Sequence, residues 1–410
     1  MTKGKLRFGI FTLAGENNYS VNEIGKEIQS RGHYAEKINP EDLYATISPT
    51  AGGQYDEVYR YREDNEGNDI EEKILKKNFD VIIPRIAGSG FEYGCILIEQ
   101  LERHKGIFTT ASSSGLRIAA DKFLTAQRLS RNKVRTIKQA FARKPRNTEF
   151  VKNLVSDDGM LLCKTFRGSQ GDGVFVLNGD LSIKTAFSTM NNSGIDIIAQ
   201  KFVNSGEHKN DIRIWVIGAE TNSPKMFAYR RYASESDVRS NYSLSHKGEK
   251  VEITEEEREM AINACLAIGL RVAGVDIIRD ADDKNKPYII EVNGNPGLLG
   301  AQTVTGENIA GALVEYCIDN YKRPTLVSDV NLLKDQYLSD NAKYWLYHYL
   351  GIYRGLNMLG SEKNAVRNEI RKFGVKQEIP QECLDELLTD FDKGGDRLSK
   401  IFKHFIWKGL

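Results

Sequence analysis

Two apolar, β-branched runs, Ala273-Gly-Val-Asp276-Ile-Ile and Tyr288-Ile-Ile-Glu291-Val-Asn293, flank a polar stretch from Asp280 to Lys286. That pattern predicts two antiparallel strands joined by a short loop. Folding the hairpin about Asp283-Lys284 sets Asp276 directly opposite Glu291. Strand alternation then puts Asn293 on the face of Glu291. Facing carboxylates in a sheet repel, so a stable version calls for a cation between them. Three oxygen ligands with no His or Cys suit a hard ion such as Mg²⁺. On this segment alone the alternative is a solvated acidic face.

The 410 residues exceed one typical core and predict on the order of two or three domains. With 40% hydrophobic and 28% charged residues, the chain has the composition of a soluble globular enzyme. A net charge of +1 supplies no long-range field for nucleic acid or an anionic membrane, and neither is an expected partner. The five cysteines (Cys95, Cys163, Cys265, Cys317, Cys383) form no CxxC pair, which argues against a disulfide framework or zinc site and for a reducing cytoplasm. The apolar run after Met1-Thr-Lys-Gly-Lys-Leu-Arg7 stops at Ala14 and reads as a first strand rather than a signal peptide. No stretch approaches the ~20 apolar residues of a spanning helix.

Strands at Leu6 to Leu13, His33 to Ile38 and Phe79 to Pro84 alternate with helices at Val21 to Arg31 and about Gly90 to His104. The alternation predicts a parallel α/β domain over 1–115. Ser112 to Asn132 reads as two short helices meeting at Asp121-Lys122, and shorter strands follow from Thr136 to Val203. Strands at Asp211 to Gly218 and Lys225 to Tyr232 precede a helix from about Thr254 to Leu270, where Thr254 and Glu257 fit a capping box. After the hairpin comes a helix over about Glu307 to Tyr321, and Arg323-Pro324 reads as a boundary. The resulting divisions are 1–115, 116–203, 204–323 and a helical extension over 324–410. In that extension Tyr344, Trp345, Tyr347, Tyr349, Leu350 and Tyr353 form a dense aromatic stretch; Tyr344, Tyr347, Leu350 and Tyr353 lie at helical spacing, which suits a core-facing stripe or oligomer contact, with a ligand groove as the alternative.

Lys164 ends the strand Leu161-Leu-Cys-Lys164 and leads into Gly168-Ser169-Gln170-Gly171-Asp172-Gly173 before a second strand begins at Val174. Such glycines let backbone N–H groups approach phosphate oxygens. No Gly-Lys-[Ser/Thr] precedes a helix, and no helix follows directly, so neither the P-loop nor the dinucleotide fingerprint applies. A strand–loop–strand flap over phosphates fits better, with an ordinary hairpin turn as the alternative. Lys122 is a second candidate phosphate cation, although a single helical lysine is commonly just solvated. Asp211 and Arg213 share a strand face, which an ordinary surface pair would also do; Arg230, Arg231, Arg239 and Asn241 add cations and an amide before the hairpin. The six histidines pair with no Ser or Cys nucleophile, and Gly88-Ser89-Gly90 lacks the GxSxG elbow. Two lysines, a flap, arginines and an Asp/Glu/Asn set remain, the equipment of Mg²⁺-assisted phosphoryl transfer.

Over roughly residues 5–320 these elements, in this order, resemble the ATP-grasp superfamily, and in particular RimK-type ligases, which add glutamate to the C-terminus of a ribosomal protein. The resemblance rests on Ile82-Ile-Pro-Arg-Ile86, Phe91-Glu-Tyr-Gly94, Asp121-Lys122, Lys164 with Gly168 to Val174, Asp211-Ile-Arg213, Arg239-Ser240-Asn241, Ala273-Gly-Val-Asp276 and Glu291-Val-Asn-Gly-Asn-Pro-Gly297. It implies an α+β ATP-grasp fold: an N-terminal parallel α/β pre-ATP-grasp domain, a two-lobed ATP-grasp domain and the all-helical C-terminal extension.

The resemblance further implies that Lys122 and Lys164 contact ATP phosphates under a flap containing Gly168, Ser169, Gln170, Gly171 and Gly173. Gln200-Lys201-Phe202-Val203 corresponds to the adenine linker, Asp211 to a nucleotide contact, and Arg239-Ser240-Asn241 to a nucleotide and substrate segment. Tyr44, Arg85 and Arg213 fall at substrate positions; Asp276, Glu291 and Asn293 bind two Mg²⁺ ions, with Mn²⁺ as a substitute; and Lys164, Arg213, Arg239 and Asn293 serve the chemistry. The implied reaction is ATP-dependent carboxylate–amine ligation through an acyl phosphate, with glutamate as the incoming amine, a protein or peptide C-terminus as acceptor, and a homo-oligomeric cytoplasmic enzyme. The sequence departs from the pattern at Lys201, where an acidic residue is usual, at Gly294-Asn295, and in the helical tail. A carrier protein, a metabolite or a ribosomally made peptide is the alternative acceptor. An ATP-binding interaction protein without activity is the alternative class.

Overall fold

The computed structural model describes residues 4–15, 17–47, 57–63, 69–74, 78–104, 107–142, 147–165, 173–206, 209–233 and 247–321. The first unit runs β1 (Arg7–Thr12), α1 (Tyr19–Ser30), β2 (Tyr34–Ile38), β3 (Leu43–Thr46), β4 (Glu57–Glu63), β5 (Asp69–Ile74), β6 (Val81–Arg85), α2 (Phe91–His104) and β7 (Phe108–Thr109). Its parallel sheet has the order β2-β1-β6-β7. Val81, Ile82 and Ile83 are all buried, which is why β6 reads as an unbroken apolar run: helices and neighbouring layers cover both faces. The strands β3, β4 and β5 form a separate antiparallel sheet. The sequence reading did not anticipate it, because β4 (Glu-Val-Tyr-Arg-Tyr-Arg-Glu) and β5 are dominated by charged residues and carry little apolar signal.

Two short helices follow, α3 (Ser113–Ala120) and α4 (Lys122–Arg131). Asp121 joins them, and its Oδ1 accepts the Leu124 N–H at 2.8 Å, a side-chain N-cap that places Lys122 on the first residue of α4. The next unit is antiparallel: β8 (Gln139–Ala142), β9 (Met160–Thr165), β10 (Val174–Asn178), α5 (Asp180–Ser193) and β11 (Ile197–Lys201), with sheet order β10-β9-β11-β8. It has its own core around Leu161, Cys163, Ile183, Phe187 and Ile197. The sequence reading missed α5, whose Ser, Thr and Asn residues blur its apolar face; Gly194, at φ 66°, ends it in the left-handed conformation.

The third unit contains β12 (Asn210–Ile217), β13 (Lys225–Tyr232), β14 (Gly248–Lys250), α6 (Glu255–Ile268), β15 (Val272–Asp280), β16 (Lys286–Asn293), α7 (Leu298–Thr305) and α8 (Ile309–Asn320). Its antiparallel sheet has the order β14-β13-β12-β15-β16. The capping box at α6 is formed: Thr254 Oγ1 accepts the Glu257 N–H, and the Glu257 carboxylate accepts the Thr254 N–H. On the central strand β12, Ile212, Ile214 and Val216 join one core cluster while Trp215 and Ile217 join another. The first cluster continues into the N-terminal unit through Phe11, Ile82 and Leu116. Polar contacts clasp the turn after β16 against that unit: Arg85 Nη1 donates to the Pro296 carbonyl at 2.8 Å, Asn295 Nδ2 to the Ile86 carbonyl at 3.1 Å, and the Leu298 N–H to Ser20 Oγ at 3.1 Å. The helix α7 was also not anticipated; it is a short turn directly after that clasp.

Among the described residues no helix is long and apolar enough to cross a membrane. Cys95, Cys163, Cys265 and Cys317 are buried free thiols. The aromatic tail and Cys383 lie outside the described residues.

Candidate active site

The register of the hairpin pairs Asp276 with Glu291 and Gly274 with Asn293. Near the loop the pairing instead centres on Asp283, with Asp280 opposite Lys286 and Ile277 opposite Ile289. A bulge at Ile290 makes up the one-residue difference. It leaves two consecutive half-buried residues, Ile290 and Glu291, between fully buried Ile289 and Val292. An apolar side chain therefore stands beside the carboxylate, a neighbour that strict alternation does not foresee.

Asp276 is 4% exposed, and its carboxylate is heavily engaged. Arg213 grips it with two hydrogen bonds, Nε to Oδ1 at 2.7 Å and Nη2 to Oδ2 at 2.6 Å; Arg231 Nη2 adds a third to Oδ2 at 2.8 Å. Burial opposes the charge, but the two guanidinium groups prevail and hold the carboxyl below its usual range. Arg231 also grips Asp211 through both carboxylate oxygens at 2.7 Å. Asp211 and Arg213 are thus not a surface pair. They are separate members of a buried chain of charges, and Arg231, read from sequence as one cation among several, lies at its centre.

Lys164 projects from the end of β9 toward the same place. Burial draws its amine down to about 8; Glu291 and Asp276 act to raise it, and Lys122 to lower it further. These charges act on one amine only if the two lobes bring them close together. Among the described residues Lys122, Lys164, Arg213 and Arg231 thus gather with Asp211, Asp276 and Glu291 in one cluster of charge.

The donor set fits a hard divalent ion. Glu291 and Asp276 face each other, and Asn293 lies two residues along β16. Asn293 Oδ1 accepts the Asn295 N–H at 2.8 Å, which leaves the amide oxygen a second lone pair. Among the described residues no group of three or more His, Cys, Asp or Glu side chains could hold a metal by itself. Coordination would thus be completed by ligand phosphates, the usual arrangement for Mg²⁺ in phosphoryl transfer.

The other predicted positions have contacts of their own. Tyr44 stands in a tyrosine ladder on the three-stranded sheet, with ring centroids 5.1 Å from Tyr59 and 5.0 Å from Tyr61. Desolvation there, with Glu71 accepting its hydrogen bond, pushes its hydroxyl up to about 12. Arg85 belongs to the parallel sheet and the Pro296 clasp, where burial draws it down to about 10. Gln200 is buried, Lys201 exposed, Phe202 half-buried and Val203 buried, and the Lys201 N–H donates to the Lys138 carbonyl at 2.9 Å. Gly173 opens β10 at φ 78°. Gly168, Ser169, Gln170, Gly171, Arg239, Ser240 and Asn241 lie outside the described residues.

Gly274 has a specific steric reason. A Cβ there would come within 2.8 Å of Pro296 Cβ and 3.7 Å of Arg213 Cδ. Gly274→Ala is expected to lower stability by about 1–3 kcal/mol and turnover by roughly tenfold or more, read from denaturant midpoints and ADP release.

Residues 8–116 match the RimK PreATP-grasp domain and residues 119–317 the RimK-like ATP-grasp domain. A probable alpha-L-glutamate ligase 2 of Shewanella amazonensis is 33% identical over 298 residues, covering 73% of this chain and 91% of the relative. The chain belongs to the RimK-like ATP-grasp ligase family. A probable alpha-L-glutamate ligase of Marinobacter nauticus is 31% identical over 304 residues, 74% of this chain and 93% of its own. Among solved structures, the ATP-grasp ligase PsnB complexed with a minimal precursor, Mg and ADP shares the fold, with TM-score 0.57, 16% identity, 78% of this chain and 99% of that one covered. This RimK-like protein is therefore an ATP-dependent ligase.

Proposed function

We propose that this ligase forms an amide bond between an amino acid, glutamate first among them, and the C-terminal carboxylate of a protein or peptide, through an acyl phosphate. What supports the reading is the hairpin register that sets Glu291 opposite Asp276, with Arg213 and Arg231 on the Asp276 carboxylate and the charges of Glu291 and Asp276 acting on the Lys164 amine. The names of the relatives, probable alpha-L-glutamate ligases, support glutamate.

In this reading Asp276, Glu291 and Asn293 hold Mg²⁺, two ions in all, which supply charge neutralisation at the phosphates when bound. Lys164 and Lys122 bind phosphate oxygens, and the segment from Gln200 to Val203 holds the adenine through backbone groups. Arg213 orients the acceptor carboxylate so that its oxygen attacks the γ-phosphorus, and ADP leaves. The amino group of the amino acid then attacks the acyl carbon; phosphate departs, the amine loses a proton, and the amide remains. Gly168 to Gly173 exclude water from the acyl phosphate, which would otherwise be hydrolysed. Arg239 to Asn241 contact nucleotide and substrate.

A ribosomally made peptide is a second acceptor, favoured by solved neighbours that bind precursor peptides, among them PsnB with PsnA2 and the macrocyclase MdnC with MdnA. Incubating the protein with ATP, Mg²⁺, each amino acid and candidate acceptors tests both. The reading predicts ADP release together with an acceptor mass gain of one or more glutamates. Release of ADP with water loss from a peptide would transfer the assignment to cyclisation, and no ADP with any pair would contradict ligation.

Lys164 gives a pH signature. An amine near 8 in the free protein is held protonated by bound phosphates, so nucleotide binding takes up a proton above pH 8. Affinity for ADP is expected to fall by up to about tenfold per unit from pH 8 upward, and Lys164→Met to flatten that slope in calorimetric titrations.

A further inference from the structure

The charges on the site face of the large sheet are ordered by strand register. Arg231 on β13 pairs with Asp211 on β12; Arg213, also on β12, pairs with Asp276 on β15; and Asp276 pairs with Glu291 on β16. Arg231 is 4% exposed, and its fork closes on both oxygens of Asp211 before its Nη2 reaches Asp276. Asp276 can accept about four hydrogen bonds or ligands, and the described residues take three. Among them one lone-pair direction is left, and it is fixed only while the carboxylate cannot turn.

Arg213 reaches Asp276 through Nε and Nη2 and, in the reading above, gives Nη1 to the acceptor carboxylate, so it serves two anions at once. Arg231 has no such duty toward substrate: Asp211 clamps it from behind in planar, bidentate geometry. We propose that Arg231 is a positioning residue for the metal site, anchored by Asp211 and orienting the Asp276 carboxylate so that its remaining lone pair meets Mg²⁺. The proposal rests on the reading that Asp276, Glu291 and Asn293 hold the ion.

Arg231→Lys keeps the charge but loses the planar fork, and Asp211→Asn keeps the shape but loosens the anchor. Both are compared with the unmodified full chain by calorimetry: Mg²⁺ titrated with ADP present, ADP titrated in EDTA, and thermal unfolding as a check on folding. Both variants should weaken Mg²⁺ by roughly 10–100-fold and ADP in EDTA by clearly less. A purely structural ion pair would lower the melting temperature and leave Mg²⁺ affinity unchanged. Unchanged Mg²⁺ affinity in a folded variant overturns the positioning role. So does an equal loss of ADP affinity in EDTA, which would make the pair a direct nucleotide contact. If Arg231→Lys does not fold, Asp211→Asn decides. Failure of the unmodified protein to bind Mg²⁺ with ADP overturns the ligand set itself, an outcome distinct from the other two.

Discussion

Glu291→Gln lowers kcat for ADP release by about 10³-fold while changing the melting temperature little. The two halves have separate causes. Glu291 faces Asp276 across the hairpin, but Arg213 and Arg231 already hold the Asp276 carboxylate, and the Glu291 charge acts on the Lys164 amine. Glutamine has nearly the same shape at this half-buried position, so the fold tolerates it. The same change removes a charged oxygen ligand, so the metal is held weakly and the phosphates lose much of their neutralisation. A steady-state assay with saturating Mg²⁺ and a thermal melt read the two halves separately. Activity within tenfold of the unmodified protein would show that Glu291 lies outside the metal site. A large drop in melting temperature would show that it serves the fold.

Lys164→Met lowers kcat by about 10²–10³-fold, the effect of removing one preorganised group from developing charge. Burial disfavours the ammonium strongly enough to bring it near 8, and the neighbouring Lys122 adds to that cost. Methionine has a stem of similar length without a charge to desolvate, so the variant should melt higher and turn over more slowly. That opposition of stability and activity is expected where a site is held in strain for function. If the variant melts lower and keeps its rate, Lys164 is a structural residue, and phosphate contact falls to Lys122 or to the flap.

The hairpin was legible because its two signals agree: β-branched alternation sets the faces, and the polar loop sets the centre. The bulge at Ile290 was not legible, since nothing in Tyr-Ile-Ile-Glu marks where an extra residue is absorbed. The role of Arg231 was missed for a related reason. Folding β12 onto β13 about Thr221 pairs Asp211 with Arg231, but that centre lies in the loop Gly218-Ala-Glu-Thr-Asn-Ser-Pro224, which offers several equivalent turns. Long-range contacts such as Arg85 to Pro296 depend on how whole units dock, and local pattern carries no record of that. The sheet β3-β4-β5 and α5 were hidden by composition: charged or small polar residues at positions whose apolar partners come from other elements.

A crystal structure of the protein with Mg²⁺ and a non-hydrolysable ATP analogue tests whether these groups form one site. The expected density places an ion about 2.1 Å from oxygens of Glu291 and Asn293, with Asp276 directed at the same centre. The Lys164 amine should lie about 3 Å from a phosphate oxygen. Phosphates bound away from the hairpin, or Glu291 and Asn293 oxygens turned from the ion, would contradict the assignment.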